Sequence, residues 1–280
     1  MQIIIPNPQY VSKIKNIIRE EGKDKLQIIS DFDRTLTYAE INGRKTPSII
    51  GMLRDGKHLT EEYAKKTQAL FEKYNPIEQD QTISSHDRKE AMQNWWEEHY
   101  EILKYSNLKR DDLLDIVRNG EVQLRKGLDI FLHNLEKQNI PFIIFSSSGI
   151  GDAIKMYLEE RGLALNNIHY LTNQFIWKNN IMIDVKQPII HSFNKDETIL
   201  ETIPEIYNNI KDRKNVILLG DSIKDIGMVD GFEYNNLLKI GFLNGRDVKY
   251  QEQYEKSFDI ILKGDGDLTE FKKITDEIIQ

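Results

Sequence analysis

The sequence predicts an α/β protein with a mostly parallel sheet, interrupted by a helical insertion. Short apolar runs alternate with amphipathic stretches in both outer parts of the chain, and the alternation lapses between residues 44 and 120, which are polar and helical throughout. Three of the apolar runs stop at a polar residue, Asp31, Ser146 and Asp221. Ligands of such sheets gather beyond the carboxyl ends of the strands, so these three positions are where a site is expected.

The elements follow in order. Residues 8–22 carry Val11, Ile14, Ile17 and Ile18 at helical spacing and stop at Gly22, an amphipathic helix. LQIISD, residues 26–31, is a short buried strand. LTEEYAKKTQALFEKY and SHDRKEAMQNWWEEHYEIL are long helices with no strand between them, so the chain divides into a core of residues 1–43 and 121–280 and a helical domain of residues 44–120. LDIFLHNLEKQ is a helix leading into the strand IPFIIF, and SSSGIGDAIKMYLEERG opens a loop and a further helix. In FIWKNNIMIDVK, Lys178, Asn179 and Asn180 separate two β-rich runs in the manner of a hairpin. NVILLGD, LLKIGFL and FDIIL are three more strands.

Composition bounds the function. With 280 residues, 39% hydrophobic and 30% charged, the chain can build one large core and a smaller inserted domain. A net charge of −7 argues against a nucleic-acid polymer as partner, which would need a basic face. The absence of cysteine excludes disulfides and thiolate metal sites and favours a cytoplasmic setting. The apolar start is broken at Pro6 and lacks a basic lead, so no signal peptide is expected, and no stretch has the length of a membrane span. A monomer acting on a small molecule is the expectation.

DFDRTLT, FSSSG, the lysine of FNK and LGDSIKD each meet one need of phosphoryl transfer. Asp31 and Asp33 would share one face if their strand continued, and two carboxylates that close make one of them hard to ionise. A carboxylate at a strand end can attack phosphorus, and Asp31 is the candidate. Asp33, kept protonated by its neighbour, can give a proton to the leaving alkoxide and later take one from water. The hydroxyls of Ser146 or Ser147, with N–H groups at the glycine turn, can hold phosphoryl oxygens. Lys195 balances the charge, and Asp221 and Asp225 suit a hard cation such as Mg2+.

Four elements in the order acid pair, hydroxyl, lysine, acid pair resemble the haloacid dehalogenase (HAD) superfamily. KLQIISDFDRTLT, NPIEQD, IPFIIFSSSGIGD, IIHSFNK, NVILLGDSIKDIGMVDG and LLKIGFLN are further similar to the cytosolic type III pyrimidine 5'-nucleotidases, over residues 25–262. That resemblance implies a Rossmann-like HAD core with an inserted helical C1-type cap. It implies a hydrolase that releases phosphate from pyrimidine nucleoside 5'-monophosphates through an aspartyl-phosphate. Asp31 would be the nucleophile and Asp33 the acid/base. Mg2+ would be held by Asp31, the main-chain oxygen of Asp33 and Asp221, with Asp225 behind them; Lys195 and a serine of the second motif would hold the phosphate.

The resemblance also places Glu78 of NPIEQD where the family reads the nucleobase. Trp95 and Trp96 occupy adjacent helical positions, so one is expected in the helical core and the other, Trp96, against a base. A tryptophan at that second position accompanies acceptance of 7-methylguanosine monophosphate in one branch of the family, which makes that nucleotide the alternative substrate; a phosphoserine-type metabolite or a catalytically silent nucleotide-binding protein are the others. The second-motif loop is one residue longer than the family's. Counting from the strand selects Ser146, and counting back from Gly149 selects Ser147. Arg34 stands where the family has an apolar residue.

Overall fold

The computed structural model describes residues 2–55, 58–196, 199–200, 202–245 and 250–279. Seven strands form its central sheet: β1 (Gln2–Ile4), β2 (Leu26–Ser30), β5 (Phe142–Phe145), β6 (Ile168–Leu171), β9 (Asn215–Gly220), β10 (Asn236–Leu243) and β11 (Ile260–Lys263). The order across the sheet is β1-β11-β10-β9-β2-β5-β6, parallel throughout except for β1 at one edge. Two hairpins stand apart, β3 (Glu40–Ile41) with β4 (Arg44–Lys45) and β7 (Phe175–Lys178) with β8 (Ile181–Val185). The second turns at Asn179 and Asn180, both at positive φ, where asparagine is tolerated best after glycine.

Both faces of the sheet are covered, which is why its central strands read as unbroken apolar runs. Ile28, Phe142, Ile144, Ile217 and Leu219 belong to one apolar cluster, and their chain neighbours Ile29, Ile143, Phe145, Val216 and Leu218 belong to another. Helix α1 (Pro8–Glu21) buries Val11, Ile14 and Ile18 in the first cluster. Its start is set by Asn7, whose side chain accepts the Tyr10 N–H, and its end by Gly22 at φ 86°.

Between β2 and β5 run α2 (Ile49–Asp55), α3 (Glu61–Gln79), α4 (Ser85–Tyr105) and α5 (Arg110–Asn119). Thr60 and Ser84 cap α3 and α4 by accepting the Tyr63 and Asp87 N–H groups. Helix α3 continues through Pro76, beyond the Tyr74 at which its apolar spacing stops, and so carries Glu78 on its last turn rather than on a loop. A proline this close to the helix end removes only one ladder bond. The chain leaves and re-enters the core side by side: Tyr38 N–H donates to Gln123 O at 2.9 Å and Arg125 N–H to Leu36 O at 2.9 Å. The β3–β4 hairpin lies across the 43/44 position at which the two parts were divided by sequence.

Helices α6 (Leu128–Lys137) and α7 (Gly151–Glu159), with helices Pro204–Ile210, Gln251–Ser257 and Thr269–Ile279, complete the layers over the sheet. Among the described residues no helix is long and apolar enough to cross a membrane.

Candidate active site

Strands β9, β2 and β5 are neighbours, so the residues immediately after them, Asp221, Asp31 and Ser146, come to one edge of the sheet. Asp31 N–H still donates to Leu219 O and Ser146 N–H to Leu171 O, both at 3.0 Å, which anchors these first loop residues to the ladder. Asp31 is 7% exposed. Lys195 Nζ donates to Asp31 Oδ1 at 2.6 Å and to Asp225 Oδ1 at 3.1 Å, and Thr35 Oγ1 donates to Asp31 Oδ2 at 3.3 Å.

Asp225 sits behind this pair because the chain folds back sharply after β9. A Cβ on Gly220 would lie 2.5 Å from the Asp225 Cβ, so only glycine permits the approach. Ser222 N–H donates to Asp225 Oδ2 at 3.0 Å and orients the carboxylate. Asp31, Asp221 and Asp225 can bring one oxygen each within 4.8 Å of one another. Among the described residues the Asp221 carboxylate has no protein donor, and one lysine faces three acids. Burial, with the charges of Asp225 and Asp31, pushes Asp221 well up; burial pushes Asp31 up to about 7 against the pull of Lys195. Hard oxygen donors short of positive charge fit a divalent cation, and these three residues would hold it.

Asp33 departs from the expected geometry. Strand β2 stops at Ser30 and the chain turns at residues 33–36, so the two carboxylates do not lie along one strand face. The Asp33 carboxylate instead lies close to the Ile49 N–H at the start of α2, which favours its charged form. Burial raises it to about 6, with Arg34 and Lys195 opposing. Arg34 is at φ 63°, and its carbonyl accepts from Arg125 Nη2 at 2.7 Å and Asn244 Nδ2 at 2.9 Å. Arg125, buried and also bonded to Thr35 O and Asp265, thus pins the turn that follows Asp31. No feature of the sequence singles Arg125 out, because its partners, three backbone carbonyls and the side chains of Asn244 and Asp265, are brought to it only by the fold.

All three serines after β5 line the same cavity. The Ser146 hydroxyl accepts Ser148 N–H at 3.1 Å, which leaves its proton for another acceptor. Ser147 is half-buried and faces both this cavity and the next. Among the described residues the buried Ser148 Oγ has no partner. Sequence reasoning weighed the first two and missed the third. Asn173 ties this loop to the next segment, donating to Ser148 O at 3.1 Å and Ile190 O at 2.8 Å. The loop carrying Lys195 is held by side chains rather than by a helix: Asn194 accepts His191 N–H at 2.7 Å and donates to Ile189 O at 2.8 Å.

Two cavities adjoin. One, about 420 Å³, contains Asp31, Asp33, Ser146, Lys195, Asp221 and Asp225; the other, about 440 Å³, is lined by Phe71, Met92, Trp95, Trp96 and His99 among others. They meet along Arg34, Ser48, Glu78, Trp96, Ser147 and Ser192. Trp95 packs on the α3–α4 apolar cluster and Trp96 alone of the two reaches both cavities, but Trp95 lines the second cavity too, its ring stacked on that of Trp96 at 5.9 Å and 9°. Indoles long enough to lean together overcome the angular offset of their backbone positions. Tyr74 stacks on Trp95 and Tyr100 on Trp96, making a four-ring column. Glu78 Oε1 accepts from Ser192 Oγ at 2.7 Å and pairs with Lys224 at 3.1 Å. His99, held neutral by burial and reaching Tyr63 Oη at 3.2 Å, also lines the second cavity.

The aromatic column meets the serine loop at Gly149, where an added Cβ would lie 2.2 Å from Trp96 Cζ3. Gly149→Ala is therefore expected to destabilise the protein by about 1–3 kcal/mol, the usual cost of overpacking, and to raise KM by tilting Trp96. Urea unfolding and steady-state kinetics on the variant check both.

Comparison with known proteins places this arrangement. The human 7-methylguanosine phosphate-specific 5'-nucleotidase is 34% identical over 268 residues, covering 95% of this chain and 89% of that protein. The crystal structure of cytosolic 5'-nucleotidase IIIB bound to cytidine superposes with a TM-score of 0.86 at 28% identity, covering 99% of this chain and 93% of that one. A HAD family hydrolase from Salmonella enterica, TM-score 0.51 at 12% identity over 91% of this chain and 76% of its own, shares the fold alone. The family model for Pyrimidine 5'-nucleotidase (UMPH-1) matches residues 34–279. With the acid cluster, lysine and serine loop gathered at the ends of three adjacent parallel strands, the chain belongs to the pyrimidine 5'-nucleotidase (UMPH-1) family, phosphoric monoester hydrolases on a HAD fold.

Proposed function

We propose that this enzyme hydrolyses nucleoside 5'-monophosphates, pyrimidine nucleotides first among them, through an aspartyl-phosphate at Asp31. The observation that carries the reading is the pair of adjoining cavities, one acidic with a buried Lys195 and one walled by aromatic rings, of a size for phosphate and base respectively. An Asp31 oxygen attacks phosphorus while the bond to the 5' oxygen breaks, and Asp33 gives its proton to that oxygen. Water then attacks the acyl phosphate, Asp33 takes the water proton, and phosphate leaves with Asp31 restored. Lys195 and the hydroxyl of Ser146, or of Ser147 beside it, hold the phosphoryl oxygens.

Mg2+ is the cation this oxygen set suits; Asp31, the Asp33 main-chain oxygen and Asp221 would hold it with Asp225 in support, and it would supply positive charge that favours ionised Asp31 and offsets charge on the phosphoryl group. Residues 44–120 act as a cap. Glu78, bonded to Ser192 and Lys224, ties that cap to the core and supports closure over the substrate. Glu78 and Trp96 stand at the junction of the cavities and would meet the base.

The family description names pyrimidine nucleotides, and relatives are named for 7-methylguanosine phosphate. Hydrolysis in the cytoplasm by a monomer is the accompanying reading, the compartment supported by the cytosolic name of the structural relative, and a net charge of −7 argues against a nucleic-acid polymer as substrate. Phosphate release from UMP, CMP, purine monophosphates, 7-methylguanosine monophosphate and phosphoserine with Mg2+ tests it. Turnover of pyrimidine nucleotides above phosphoserine is expected, and no turnover of any nucleotide would overturn it.

A further inference from the structure

We propose that Lys224 sets the base preference of this enzyme, by pairing with Glu78 so that the carboxylate keeps an acceptor for a neutral base but has no net charge left for a cationic one. This rests on the nucleotidase reading above. Lys224 lies in the turn after β9 and Glu78 on the last turn of α3, so the pair spans the junction between the two cavities. Both donors to Glu78, Lys224 Nζ at 3.1 Å and Ser192 Oγ at 2.7 Å, use the same oxygen, Oε1. Among the described residues Oε2 has no protein donor, and it can accept one N–H from a base.

Lys224 is held in this position from a second direction, its Nζ standing 4.6 Å from the centroid of the Phe193 ring. Phe193 itself packs into the α3–α4 apolar cluster with Tyr74, Met92 and Trp95, so the ring against which the ammonium lies is fixed. The charge around the base cavity points the same way. Among the described residues lining it, Glu78 is the one acid, against Arg34, Lys45 and Arg54. Once Lys224 neutralises Glu78, a cytosine amino group or a uracil imide N–H can still be bound through Oε2, since a neutral donor needs only the lone pair. A base with a fixed positive charge, as in 7-methylguanine, gains from the indole faces of Trp95 and Trp96 but meets no unbalanced anion. Discrimination therefore comes from a repulsive balance as much as from a contact made.

The test is kcat/KM for CMP, UMP and 7-methylguanosine monophosphate, with Mg2+, on the full chain and on Lys224→Met, Lys224→Gln and Lys224→Arg. The unsubstituted enzyme should favour CMP and UMP. Both neutral variants should raise the ratio for 7-methylguanosine monophosphate over CMP by on the order of tenfold, the scale on which a single charge contact alters specificity. Lys224→Arg, which keeps the charge, should leave that ratio nearly unchanged. A preference of the unsubstituted enzyme for the methylated nucleotide, or an unchanged ratio in the neutral variants, overturns the proposal; equal losses for all substrates do so too, by placing Lys224 on the common phosphate. An enzyme that hydrolyses none of the three nucleotides overturns instead the nucleotidase reading beneath it.

Discussion

Asp31→Asn is expected to reduce phosphate release from CMP by roughly four orders of magnitude or more, the scale on which removal of an attacking group is felt. The amide keeps the volume of the side chain and can still accept from Thr35, whose hydroxyl lies 3.3 Å from Oδ2. Lys195 keeps its second anionic partner, Asp225 at 3.1 Å, so a buried ammonium is not left alone. The loss should therefore be chemical rather than structural, with circular dichroism and the unfolding midpoint close to those of the unsubstituted protein. Acid-quenched protein should carry labelled phosphate when Asp31 is present and none when it is replaced. Retention of a tenth of the activity would remove Asp31 as the nucleophile.

The second large effect concerns the cation. Asp221 is the acid of the cluster with no donor among the described residues, pressed by the charges of Asp225 and Asp31. Removing its charge takes away burial cost and repulsion that Arg34 and Lys195 offset only in part, so Asp221→Asn should raise the unfolding temperature of the metal-free protein. With excess Mg2+ the order should reverse, because stabilisation by a bound cation scales with its affinity. That affinity should fall by more than the roughly 10- to 100-fold that loss of an outer-shell partner costs. Thermal melts of both proteins with EDTA and with Mg2+ measure the crossing. Parallel rather than crossing behaviour would place the cation elsewhere, and chelation should abolish turnover in the unsubstituted enzyme.

Several features were legible because they depend on local pattern. Buried parallel strands are apolar on both faces, so β2, β5, β9 and β10 stand out as runs wherever they occur. Strand β6, four residues of which two are half-buried, has no such run; it lies at the sheet edge, where one side goes uncovered. The polar residues ending β2, β5 and β9 are also visible in the chain. That these strands are adjacent is a matter of strand order.

The Asp33 geometry shows a different limit. Spacing of two puts side chains on one face only while the strand lasts, and β2 ends one residue before Asp31. Whether a strand continues is decided by its neighbours, here by the turn that Arg125 clamps through the Arg34 and Thr35 carbonyls. Trp95 joins the α3–α4 cluster as the helical wheel expects yet also reaches the second cavity, for a related reason: direction at Cα does not settle where a long ring ends when Tyr74 and Tyr100 offer faces on both sides of the tryptophan pair.

By itself, then, the sequence determined the layered α/β class, the helical insertion and the acids, hydroxyls and lysine available for phosphoryl transfer, because residue chemistry and hydrophobic period are local properties. Tertiary structure alone decided that Lys195 lies within 3.1 Å of both Asp31 and Asp225, which are distant from it in the chain. It also decided that Glu78 meets Lys224, 146 residues away, rather than solvent. Such pairings arise from the order of strands and the path of loops, and neither is encoded in any one segment.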